Sequence, residues 1–217
     1  MQALFVHGMG RSPISAIPLL WRLKRQHISP SWFFYSVTFQ NFPAISQRLQ
    51  KKIVAIAQKG DYVLIGHSLG GVLIREALAS LPAGTKLPER VFLLGSPIHA
   101  SRIATALRHN LLYRLATQDC GQLLASEERM NNVPPSPIPT TSIVGTRTLF
   151  GLSRLFGDEI NDSIVSHSEV TADWITEELL VPAIHSAMPW SPQVSQLVIE
   201  RLAPSRRIDS KAIVRRC

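Results

Sequence analysis

Cysteine is nearly absent from this sequence of 217 residues, with Cys120 and Cys217 the only two. Two thiols without metal-ligand spacing make neither a disulfide framework nor a zinc site, so both are expected as free thiols. Long apolar runs are missing too: none reaches the ~18 residues of a membrane-spanning helix. The opening residues Met1 to Val6 carry no basic leader, so no secretory signal is expected and a cytoplasmic location is. Acidic residues are scarce, 15 against 23 Lys and Arg, which gives a formal charge of +8. Arg201, Arg206, Arg207, Lys211, Arg215 and Arg216 crowd residues 201–217 against Asp209 alone. Such a basic tail (204–217) suits either solvent or peripheral contact with an anionic membrane face. No signature of a nucleic-acid-binding module accompanies it, so nucleic acid is not an expected partner. No internal repeat is present, and the one biased patch, Val133–Pro139, holds four prolines and reads as a rigid surface loop.

What is present is an ordinary globular composition, 45% apolar and 18% charged, on a length that fits one domain over residues 1–203. Short apolar runs alternate with longer helical patterns. Strands are expected at Ala3–Val6, Trp32–Val37, Tyr62–Ile65, Val91–Leu94, Thr141–Val144 and near Leu179–Val181. Helices are expected at Ile14–His27, Pro43–Lys59, Leu69–Leu81, Ser101–Ala116 and Gln193–Leu202. This alternation predicts an α/β fold, a mostly parallel central sheet with helices on both faces. Ile103, Leu107, Leu111 and Leu115, spaced by four, read either as core packing or as a small cap within the strand-poor stretch 98–139.

Gly66-His67-Ser68-Leu69-Gly70 follows a hydrophobic strand and opens a helix. That context is what a nucleophilic serine on a strand-to-helix turn requires. Gly66 and Gly70 remove Cβ atoms where the turn is tightest, which leaves the Ser68 hydroxyl exposed. An acyl-transfer intermediate also needs two N–H donors for its oxyanion. One is the residue after the nucleophile, Leu69, and the other comes from the loop after an earlier strand.

Gly66-His67-Ser68-Leu69-Gly70-Gly71 resembles the elbow of bacterial lipases and related esterases of the α/β-hydrolase superfamily. His7-Gly8-Met9-Gly10 resembles their His-Gly oxyanion loop, which implies Met9 as the second donor, Gly8 as the loop glycine and His7 as a loop organiser. A chain that begins at the strand before this loop lacks the two strands that open larger members. The resemblance therefore implies a minimal fold of about six strands.

The serine needs a histidine base, and the base needs a carboxylate. In this fold they follow in the order Ser, Asp or Glu, His. His7 and His27 precede Ser68, and His67 adjoins it. His99 and His109 would leave only Glu76 and Glu89 for the acid, neither on a loop after a strand. His167 and His185 remain, and His185 stands where a loop should leave the last strand. His185-Ser186-Ala187-Met188-Pro189 resembles the His-containing closing segment of the lipases, which favours it. Asn161-Asp162-Ser163-Ile164-Val165-Ser166 resembles the Asn-Asp-Gly-x-Val-Ser segment that carries their acid, which implies Asp162. Ser163 departs from that pattern by replacing its glycine, and Asp158 and Glu159 stand as alternates. Gly95-Ser96-Pro97 resembles a supporting segment beside the site, although Ile98 and Ala100 replace its histidine and its glycine.

The resemblance implies hydrolysis of carboxylic esters, of lipid or medium-chain acyl type, with neither metal nor organic cofactor. A thioesterase, an acyltransferase that excludes water, and a catalytically silent module that binds membrane or protein are the competing expectations.

Overall fold

The computed structural model describes residues 1–149 and 155–202. The basic tail at 204–217 and Cys217 lie outside the described residues. Six strands form one sheet: β1 (Gln2–Val6), β2 (Ser29–Phe33), β3 (Tyr62–His67), β4 (Val91–Leu94), β5 (Thr140–Gly145) and β6 (Glu177–Val181). Their order is β2-β1-β3-β4-β5-β6, and every pairing is parallel. The expected α/β architecture is therefore the observed one.

The pleat explains why the strands are apolar throughout. Leu4, Leu64 and Leu93 point to one face, where helices α2 (Phe42–Ala57) and α3 (Leu69–Ala79) cover them. Ala3, Phe5, Val63, Ile65, Phe92 and Leu94 point to the other, under α1 (Ile17–Arg25) and α8 (Pro192–Leu202). A parallel sheet covered on both faces must bury alternate residues in two separate cores. Asn41 starts α2 by accepting the Ala44 N–H with its side chain at 2.9 Å, an N-cap.

Two expected elements differ. The strand expected at Trp32–Val37 lies at Ser29–Phe33. β2 is an edge strand with β1 as its single neighbour, and its pairing ends where β1 ends, at Val6 opposite Phe33. The aromatic run beyond has no strand to pair with and continues as a loop. Pro30 fits this edge position, where one backbone N–H has no partner to lose.

The helix expected at Ser101–Ala116 is broken into α4 (Arg102–Leu107) and α5 (Leu111–Leu124). Asn110 caps α5 by accepting the Tyr113 N–H at 3.0 Å, and Gln118 kinks it with φ 46°. The four-residue stripe therefore spans two helices. Leu111 and Leu115 are 67% and 55% exposed, so the stripe is not core packing. Within 98–139 the chain forms α4, α5 and α6 (Glu127–Asn131) and no strand.

Candidate active site

The chain leaves β1 for β2 on one side and then crosses to β3 on the other. Loops therefore diverge between the carboxyl ends of β1 and β3, the place where open α/β sheets form clefts. Met9 follows β1, Ser68 follows β3, Asp162 lies between β5 and β6, and His185 follows β6. All four sequence-predicted positions stand at this one edge.

Ser68 sits at the N-terminus of α3 with φ 51° and ψ −126°, a strained conformation for a residue with a side chain. Local contacts hold it there. A Cβ on Gly66 would stand 2.5 Å from the Gly71 backbone, and one on Gly70 would run into the Val6 carbonyl. Ser68 N–H donates to the Leu94 carbonyl at 3.0 Å, and Ser96 Oγ donates to the Gly66 carbonyl at 3.1 Å. The elbow is thus pinned by β1 and β4.

The loop after β1 touches the serine: a Cβ on Gly8 would lie 3.0 Å from Ser68 Cβ. His7 Nδ1–H donates to the Gly8 carbonyl at 2.9 Å, while its Nε2 faces the Tyr35 N–H at 3.4 Å. Tyr35 stacks on the His7 ring at 4.2 Å and donates its hydroxyl to the His7 carbonyl at 2.7 Å. Burial lowers the pKa of His7, so the ring is neutral and suited to this organising part. Among the described residues neither the Met9 nor the Leu69 N–H is taken up by a hydrogen bond.

His185 opens a short 3-10 turn after β6. Its Nδ1 is 2.7 Å from Asp162 Oδ2, and both side chains are buried. Asp162 Oδ1 accepts the Ile164 and Val165 N–H groups at 3.0 and 2.9 Å, which fixes the carboxylate plane. The His185 N–H donates to the Asp162 carbonyl at 2.9 Å, tying the two loops backbone to backbone. The competing residues are engaged elsewhere. Glu159 pairs with Arg102 at 2.7 Å, and His167 pairs with Glu178 at 2.6 Å on the surface. His99 is exposed. Ser68 Oγ makes no hydrogen bond among the described residues. No group of three or more His, Cys, Asp or Glu is arranged there to hold a metal ion.

The comparisons with known proteins agree with this edge-of-sheet architecture. Residues 3–208 match the sequence profile of the Alpha/beta hydrolase family. The chain belongs to that family. No curated protein matches it. Among solved structures, this α/β hydrolase is similar to the mature lipase BlEst2 of Bacillus licheniformis, at 18% identity and a TM-score of 0.72 over 93% of this chain and 91% of that one. A metagenomic carboxyl esterase superposes at 16% identity and a TM-score of 0.70, over 87% and 65% of the two chains. The thioesterase RedJ of the Streptomyces coelicolor prodiginine pathway does so at 16% and 0.62, over 93% and 89%. At these identities the likeness is one of fold.

The sequence pointed to the segment that holds Gly95 but not to its contacts, and Tyr35 and Glu169 went unread in it. Gly95 ends β4 with φ 53°, and a Cβ there would stand 2.9 Å from Asp162 Oδ2 and 3.1 Å from His185 Nδ1. The resemblance of its segment to a supporting one beside the site was the hint. Tyr35 is aromatic like its neighbours and carries no signal of its own. Glu169 is buried, and its carboxylate accepts the Ser166 N–H and hydroxyl and the Arg102 N–H at 2.5, 2.9 and 2.5 Å. Here Ser166-His167-Ser168-Glu169 is a readable capping box, which starts α7 (His167–Val170) just after the Asp162 turn.

Proposed function

We propose that this α/β hydrolase cleaves carboxylic esters through an acyl intermediate on Ser68. The buried His185–Asp162 hydrogen bond, at the same sheet edge as a strained, half-buried serine, carries the reading. An ionised Asp162 accepts from Nδ1–H, which leaves Nε2 of His185 bare and able to take a proton. Ser68 Oγ attacks the acyl carbon and gives its proton to Nε2. The carbonyl oxygen becomes an anion, which the Met9 and Leu69 N–H groups receive. The tetrahedral centre then collapses, the C–O bond to the leaving group breaks, and His185 returns the proton to the departing alcohol. Water then gives a proton to Nε2 and attacks the acyl carbon; the bond from that carbon to Ser68 Oγ breaks, and His185 returns the proton to Oγ as the acid leaves. The serine–histidine bond is often long without substrate and tightens when the substrate binds.

Lipid or medium-chain acyl esters are the proposed substrates, on the resemblance of the motifs and on neighbours described as a lipase and a carboxyl esterase. The thioesterase neighbour favours a second reading, acyl thioesters attacked by the same serine. A fluorophosphonate probe, followed by p-nitrophenyl ester and acyl-CoA panels, tests both. The wild type should label and Ser68→Ala should not; absent or equal labelling refutes the enzyme reading. Asp162→Asn should lower kcat by about 10⁴ through loss of the required tautomer, with Asp158→Asn close to wild type. The reverse ranking would reassign the acid.

A further inference from the structure

We infer that His67 is a positioning residue, which fixes the His185 loop against the nucleophile that His67 precedes. The inference rests on the reading of His185 as the base. His67 is 2% exposed and ends β3. Its Nε2 is 3.0 Å from the His185 carbonyl oxygen. A carbonyl only accepts, so Nε2 carries the proton and donates. The two rings meet at 4.8 Å between centroids, tilted by 41°. On its other side the ring abuts the oxyanion loop, where a Cβ on Gly8 would stand 3.0 Å from Nδ1.

One side chain thus touches all three parts of the site. It is bonded through the backbone to Ser68, packed on Gly8 and hydrogen-bonded to His185. Three bonds then orient His185: its N–H to the Asp162 carbonyl, its Nδ1–H to Asp162 Oδ2, and its carbonyl to His67. The first two tie the base to the acid. Among these three, only the bond to His67 ties it to the nucleophile's strand. Any side chain would satisfy an elbow that needed bulk alone; the bond to a carbonyl across the site needs a donor at the Nε2 position.

The remaining nitrogen sets a condition. His67 Nδ1 is buried and has no hydrogen-bond partner. A proton on it would have no acceptor and would face His185, Arg11 and His7, all basic. Burial foremost, and then these neighbours, hold the pKa of His67 well below 6.5. A histidine whose pKa falls on folding binds protons better when unfolded. Its contribution to stability is therefore complete above the ordinary value and is lost as pH drops below it. Protonation would keep the Nε2–H donor but bury a second N–H, on Nδ1, with no acceptor.

The test compares His67→Gln, whose Nε2 reaches the same carbonyl, with His67→Asn and His67→Leu, which place no donor there. Kinetics on a p-nitrophenyl ester should show His67→Gln near wild type. His67→Asn and His67→Leu should lose roughly 10²-fold in kcat, the scale of a 1 Å misplacement, with KM within about twofold. The fall of Tm between about pH 7.5 and 5 should be shallower in His67→Gln, which lacks the titrating group. Wild-type kcat in His67→Asn overturns the inference. So does an equal loss in Gln and Asn, which would mark the ring as packing alone. Should His67→Leu fail to fold, the Gln and Asn pair still decides. Labelling of the wild type and of Ser68→Ala by fluorophosphonate reports separately on the underlying hydrolase reading.

Discussion

Ser163 holds φ 85°, a conformation that glycine adopts without strain. It stands where the resembling segment has glycine, and the site tolerates it through its hydroxyl. Ser163 Oγ donates to the Arg147 carbonyl at 3.2 Å and accepts the Leu149 N–H at 2.8 Å. The backbone strain of about 1–2 kcal/mol is offset by two bonds worth about 1 kcal/mol each. Ser163→Ala keeps the strain and loses both bonds, so it should destabilise by about 1–3 kcal/mol in urea unfolding. Ser163→Gly loses the same bonds but relieves the strain and should fall nearer to wild type. The elbow serine and its glycines were legible because their chemistry depends on neighbours in sequence. The part His67 plays was not legible, because its partner lies 118 residues away.

Strands β1, β3 and β4 and helices α2 and α3 could be read directly, since their burial pattern is set by the two-sided sheet they build. β2 and the α4–α5 pair could not, for a common reason. Periodicity reports what a segment would bury, and these segments run out of partners. The end of β4 shows the converse, an element end fixed by its contacts rather than its pattern. Gly95 stops the strand where the Asp162 and His185 side chains close over it. Gly95→Ala forces a Cβ into the left-handed region at roughly 1–2 kcal/mol and pushes on the pair. The expected result is a loss of at least tenfold in kcat with Tm lowered by a few degrees, measured by ester turnover and calorimetry. A normal kcat would show that the pair moves aside without cost.

At the scale of the whole molecule, charge and exposed apolar groups suggest where it touches its surroundings. The net charge is +8, and no described helix is long and apolar enough to cross a membrane. Phe39, Leu111 and Leu112 are exposed, and the loop bearing Phe39 is bonded to α5 from Thr38 Oγ1 to the Ala116 carbonyl at 2.9 Å. Sedimentation with vesicles should show the full chain pelleting with anionic lipid more than a chain ended at residue 203, at low salt. Equal pelleting would assign the tail's charge to solvent. The strand order has a further consequence in time. The elbow is complete once β3 beds between β1 and β4, but His185 comes after β6, an edge strand and the last among the described residues. A chain emerging from its ribosome would carry the proposed nucleophile, Ser68, long before the proposed base, His185. In the proposed mechanism turnover would wait for His185 to be made and docked, so a chain carrying the elbow alone would be silent.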